Sequence, residues 1–145
     1  MPEPAVRALF VSLGLRKKAR SASSWLELFE NVEAGLPIIS LESVLGDVAP
    51  GDASLKYRIV PKATLSRRAA EKKLSPEESA RLVRLAKVWA FAKQVWQDDQ
   101  AARRFLYEPH MLLQQRRPID VVIANEIGAA LVADILGRLR YGSAA

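Results

Sequence analysis

Residues 74–96 read LSPEESARLVRLAKVWAFAKQVW, and this stretch decides the fold. It opens with the clearest helix start in the chain. Ser75 can accept a hydrogen bond from a free N–H of the first turn, Pro76 brings a φ already suited to the first helical position, and Glu78 completes a capping box. Leu82, Leu85, Ala86, Trp89, Ala92 and Trp96 then recur at helical spacing, and Val83, Val88 and Val95 widen the stripe. So wide a stripe predicts a helix to about Gln97, packed on two sides as the central strut. Arg81, Arg84 and Lys87 take the remaining face.

Toward the C-terminus, Asp98 or Asp99 can cap a helix reaching about Tyr107, which Pro109 breaks. Residues 108–118 read as a loop, and Arg116-Arg117-Pro118-Ile119-Asp120 leads into a short apolar turn. Asn125 caps a last long helix. Ile127, Leu131 and Ile135 form one stripe on it, with Val132, Leu136 and Leu139 beside. Gly128 inside this helix implies close backbone packing, because an interior glycine costs about 1 kcal/mol relative to alanine. Gly137 is either the end of the helix or a second tight contact. The chain finishes on a short basic stretch with one aromatic, from Arg138 to Ala145.

Toward the N-terminus the signals shorten. Ala5–Leu15 suits a short helix, and the basic run Arg16–Ser24 suits a flexible arm. Ser24 can cap Trp25–Ala34, whose stripe is Trp25, Leu28, Phe29 and Val32, ended by Gly35. Ser40 can cap Leu41–Gly46, with Leu41, Val44 and Leu45 inward, and Pro50-Gly51-Asp52 marks a turn. After Pro61 comes a basic helix, with Leu65 and Ala69 on one face and Arg67, Arg68 and Lys72 largely away from it. Short helices leading into a basic one match a helix-turn-helix, whose second helix enters the DNA major groove. With no alternating strands bounded by hairpin turns, the class is all-α. The expected division is a helical region over residues 1–73 and a second over 74–145.

Composition narrows the function. The chain has 145 residues, no cysteine and a net charge of +6 from 22 basic and 16 acidic residues. Disulfides, iron–sulfur clusters and thiolate zinc sites are excluded. No apolar run approaches the roughly 20 residues of a membrane span, and the opening Met-Pro-Glu-Pro is unlike a secretory signal, so a cytoplasmic protein is expected. Lys56, Arg58, Lys62, Arg67, Arg68, Lys72 and Lys73 stand against Glu71 alone, a local asymmetry that points to a polyanion.

Enzyme readings find little support. His110 is the only histidine and has no nucleophile near it in sequence; Asp98-Asp99 reads better as a helix cap than as a metal pair. There is no P-loop, GxGxxG or GxSxG. No catalytic residue, metal or cofactor is assigned. Trp25, Trp89 and Trp96 fall on apolar stripes and are expected in the core.

From Val60 onward the sequence resembles the Xre/MbcA/ParS family of antitoxins. The residues that carry the likeness are the run Pro61–Arg68, LSPEESARLVRLAKV from Leu74 to Val88, and Phe105-Leu106 with Pro109. Arg117–Asp120, Glu126–Ala129 and Leu136–Gly142 complete the set, in order and at family-like spacing. The resemblance implies an Xre-like helix-turn-helix region followed by a toxin-binding domain. It implies a RES-domain toxin as partner, acting on NAD, whose active-site entrance the antitoxin's C-terminal part obstructs, and repression of the pair's own operon. The expected assembly is a homodimer within a toxin–antitoxin hetero-oligomer.

Taken with the basic footprint, this makes Lys62, Thr64, Ser66, Arg67, Arg68 and Lys72 the expected contacts to operator DNA. Arg138, Arg140, Tyr141 and Gly142 are the expected toxin contacts. Arginine and tyrosine are enriched as interface anchors, and cationic side chains suit a cleft that receives an anionic dinucleotide. The competing function is a stand-alone helix-turn-helix regulator with a helical dimerisation domain and no toxin.

Overall fold

A computed structural model describes residues 6–15 and 24–142, whose regular elements are all helices, with no strand among the described residues. In chain order the helices are α1 (Val6–Ser12), α2 (Trp25–Ala34), α3 (Ile38–Val48), α4 (Lys56–Ile59), α5 (Lys62–Glu71), α6 (Pro76–Trp96), α7 (Asp99–Tyr107), α8 (Pro118–Ala124) and α9 (Glu126–Arg140), with a 3-10 turn at Met111–Leu113. Of the basic run Arg16–Ser24 expected as an arm, residues 16–23 lie outside the described residues, as do 1–5 and 143–145.

α6 is the strut that its sequence predicts. Ser75 accepts from Glu78 N at 3.1 Å, and Glu78 Oε1 accepts from Ser75 N at 2.8 Å, closing the capping box. The helix packs against α1, α2, α3, α4, α7, α8 and α9. From Leu85 to Ala92 only Lys87 escapes full burial, so the core wraps the helix rather than lining one stripe. Trp89 lies at its centre without solvent exposure. Asp98 caps α7 by accepting from Ala101 N at 2.8 Å, and Asn125 caps α9 by accepting from Gly128 N at 2.9 Å.

Four expectations need correction. Trp25 and Trp96 are exposed; each sits at an end of its helix, where the stripe runs past the neighbouring elements. Ser40 does not start α3, which begins at Ile38 after Pro37. It is buried inside the helix, and its hydroxyl donates to Leu13 O at 2.6 Å. Arg81 and Arg84 are not a solvated face. Arg81 donates to Ile59 O at 2.9 Å, at the end of α4, while Arg84 donates to Val122 O (3.0 Å) and Ile123 O (2.9 Å) in the last turn of α8 and pairs with Glu126 (2.9 Å). Arg103 does the same for α3, donating to Asp47 O at 2.7 Å. Guanidinium groups thus satisfy the orphan carbonyls of neighbouring helix ends, where the dipole also favours a cation. Lastly, Ile127 and Leu131 do not share a buried face with Ile135. α9 turns Gly128, Ala129, Val132, Ile135, Leu136 and Gly137 inward and those two outward.

The two interior glycines of α9 are both buried, and Gly137 lies inside the helix rather than ending it. At Gly128 a Cβ would lie 2.0 Å from Val121 O, which is why the α8–α9 corner accepts no larger residue.

Candidate functional site

α4 and α5 form the basic turn. Leu55, Ile59 and Val60 are fully buried and plant α4 in the core. Pro61, with φ −53° and ψ 142°, separates α4 from α5, which starts at Lys62 on the outside. α5 has no buried residue. Leu65, half-buried, packs against the core, and the helix is otherwise fixed at its ends. Lys72 closes its C-terminus in the left-handed region (φ 61°), and the next residues run beside the α2–α3 turn. There Ile38 N donates to Lys72 O at 3.1 Å and Leu74 N to Leu36 O at 2.8 Å. Gly35 makes that approach possible, since a Cβ there would lie 2.3 Å from Leu74 O.

The basic side chains of this helix divide into two kinds. Arg67 has a side chain 67% exposed and reaches Glu71 at only 3.8 Å. Arg68, at 18%, turns back: its Nε donates to Glu78 Oε1 at 2.7 Å, with Glu71 at 3.4 Å. Burial raises the Glu78 carboxyl, but the bonds from Arg68 and the Ser75 N–H outweigh it, and the group sits below the ordinary glutamate value. Arg68 therefore ties α5 to the cap of α6. Lys62 lies over the Tyr57 ring at 5.5 Å, Ser66 and Lys72 are exposed, and Thr64 is half-buried. Of the six expected DNA contacts, Lys62, Ser66, Arg67 and Lys72 are displayed, while Arg68 spends its donors inside the molecule.

The second surface lies at the end of α9. Arg138, Arg140, Tyr141 and Gly142 are all exposed. Arg138 pairs with Asp134 one turn back at 3.2 Å, Arg140 lies over the Tyr141 ring at 5.7 Å, and Tyr141 N closes the helix on Gly137 O at 3.1 Å. Gly142 follows with φ 65°. The two basic surfaces belong to different helices.

Between the regions runs a polar network whose members are mostly distant in sequence. Arg58 of α4 pairs with Asp120 of α8 at 2.6 Å, and Arg117 holds the same carboxylate through two bonds, at 2.9 and 3.0 Å. These bonds, first that from Arg117, outweigh burial and keep Asp120 below the usual aspartate range. Arg117 also lies over the Tyr107 ring at 5.1 Å, and the Tyr107 hydroxyl donates to Asp52 Oδ2 at 3.0 Å. Burial and the Asp52 carboxylate push the Tyr107 hydroxyl well up. Only the Arg-x-x-Asp spacing at 117–120 carried a local signal; its partners Arg58, Tyr107 and Asp52 are distant in sequence.

His110 has a structural job. Its Nδ1 accepts from Leu112 N at 3.1 Å to start the 3-10 turn, and its ring meets Phe105 edge-on at 6.0 Å. Among the described residues no helix is long and apolar enough to cross a membrane.

Residues 27–87 match the antitoxin Xre-like helix-turn-helix domain, and residues 91–142 match the antitoxin Xre/MbcA/ParS C-terminal toxin-binding domain. A relative from Yersinia enterocolitica serotype O:8 / biotype 1B, named Antitoxin Xre, is 30% identical over 146 residues, covering 97% of this chain and 95% of its own. α5 falls in the first matched region and Arg138–Gly142 in the second. The chain belongs to the Xre/MbcA/ParS family of antitoxins, with a helix-turn-helix domain followed by a toxin-binding domain.

Proposed function

We propose that the protein neutralises a RES-domain, NAD-using toxin by placing the end of α9 against its active-site entrance, and that it represses its own operon through α5. The observation that carries the toxin half is the outward grouping of Arg138, Arg140 and Tyr141 in the last turn of a helix inside the toxin-binding domain. Two guanidinium groups and an aromatic ring, clear of the core, suit a cleft whose ordinary occupant carries phosphates. The DNA half rests on a helix with no buried residue that displays Lys62, Ser66, Arg67 and Lys72 within the helix-turn-helix domain. Arg68 serves that role by holding the helix in place. The assembly is read as two antitoxin copies within the toxin complex, and the outward Trp25 and Phe29 of α2 offer apolar surface that a second copy can cover. A regulator with no toxin leaves the C-terminal domain match without a purpose.

The test is inhibition. Deleting Tyr141–Ala145 and replacing Arg138 and Arg140 by alanine should leave helicity and operator binding intact. Loss of two anchor side chains at about 2 kcal/mol each weakens inhibition by up to roughly a thousandfold. NAD turnover by the co-encoded toxin, titrated with both proteins, reads this directly. Equal inhibition by the two would make the tail a bystander.

A further inference from the structure

Helical spacing sets Ile127 and Leu131 in one stripe with Ile135, yet the fold buries only Ile135. Ile127 is 73% exposed and Leu131 51%. They form one wall of an open trough of about 600 Å³, whose other side is the 3-10 turn with Leu112, itself 58% exposed, and whose lining includes Val121. Large aliphatic side chains gathered on one face, bordered by polar groups, have the make-up of the centre of a protein interface.

The charges near this trough are unevenly committed. Three carboxylates are already held by arginines of the chain: Asp120 by Arg117 and Arg58, Glu126 by Arg84, and Asp134 by Arg138. Arg116, on the rim, bonds neutral oxygens, those of Leu113 O at 3.3 Å and Gln114 Oε1 at 3.2 Å. The trough is thus apolar in the middle, and at its edge Arg116 is the guanidinium that holds no carboxylate among the described residues, beside the arginine-held Asp120. It suits a partner that brings an apolar ridge bordered by carboxylates.

Position decides which partner. The trough lies wholly within the toxin-binding domain match. The same outward face of α9 continues from Ile127 and Leu131 through Asp134 to Arg138 and Tyr141, at spacings of three and four residues. We propose that this trough anchors the toxin of the pair, and that trough and tail form one continuous contact strip along α9. This rests on the reading above that the partner is a toxin.

The experiment uses the full chain and the purified toxin encoded beside it, in an inactivated form. Ile127→Asp/Leu131→Asp should weaken binding at least a hundredfold by calorimetry, and Leu112→Asp, on a separate element, should weaken it as well. Both changes lie on solvent-facing positions, so helicity, melting and operator binding should hold. Should the aspartates disturb folding, Ile127→Ala/Leu131→Ala removes the same contacts without a charge and should cost about ten- to thirtyfold. A protein lacking Tyr141–Ala145 should keep residual toxin binding that the trough substitutions then abolish. Wild-type affinity in the trough variants, with wild-type protein binding the toxin, overturns the trough and leaves the toxin reading standing. No binding by the wild type removes both. A variant that binds toxin normally but loses self-association, read by light scattering, assigns the face to a second copy and overturns the proposal.

Discussion

α5 and α9 both turn arginines outward, but they are held in opposite ways. α5 buries none of its residues and is fixed by directional bonds at its ends: the left-handed Lys72, the backbone bonds to Leu36 and Ile38, and the Arg68–Glu78 pair. α9 buries six residues and is fixed by shape, down to the contact of Gly128 with Val121. A helix that gives its surface to a polar partner has little apolar stripe left, so geometry must come from hydrogen bonds and charge. Those are sensitive to pH and salt. A helix held by packing is indifferent to both but intolerant of altered volume.

The substitution with the largest expected effect removes what the two helices share. Trp89→Ala empties the centre of α6 and should cost about 3–5 kcal/mol, a large part of the stability of a small domain. Both regions should melt together in one transition by circular dichroism. Two separate transitions would mean that α5 and α9 do not rest on a common core.

A smaller change separates them. Glu78→Gln weakens the tie between α5 and the α6 cap at about 1–3 kcal/mol, because the Arg68 guanidinium loses its buried charged partner. Operator affinity should fall while toxin affinity stays. The sign with pH is set by the depressed carboxyl. Its contribution is complete above the ordinary glutamate value of 4.5 and is lost as pH falls through the lower folded-state value. Wild type should thus lose melting temperature more steeply in acid than the glutamine variant. Asp52 and Asp120 are likewise depressed and keep their share in both proteins, so only the difference between the curves reports on Glu78. Parallel curves would remove the pair from the account of how α5 is held.

The mildest change sharpens the contrast within one residue. Lys72→Gly relieves a left-handed backbone and should stabilise by up to about 1 kcal/mol. If Lys72 also meets a phosphate, the slope of log affinity for operator DNA against log salt should become shallower by about 0.9. Higher stability with an unchanged slope would leave Lys72 as a cap alone.

What was legible in the sequence follows the range of the forces. Ser24, Ser75, Asp98 and Asn125 act on N–H groups three residues ahead, and each cap stands where its residue type says. The wide stripe of α6 identified a helix packed on more than one side. Periodicity could not say which half of an apolar circumference the rest of the chain would cover, so Ile127, Leu131, Trp25 and Trp96 were expected inside. Nor could the basic run reveal that Arg68 faces Glu78, or that Arg81, Arg84 and Arg103 close the ends of other helices. Those pairings depend on elements brought together across ten residues or more. The grouping of Arg138, Arg140 and Tyr141 was visible as composition; its continuity with the trough was not.

The two matched regions stop and resume at residues 87 and 91, and between them lie Val88, Trp89 and Ala90, all buried in the middle of α6. No linker separates the halves; they share an unbroken rod of 21 residues, about 30 Å long. Each residue of such a rod advances the chain by about 1.5 Å and rotates it by about 100°. The length of this helix therefore sets how α5 and α9 are turned relative to one another. A single insertion would swing α9 a quarter turn or more around the axis relative to α5, although every residue of both helices remained in the gene.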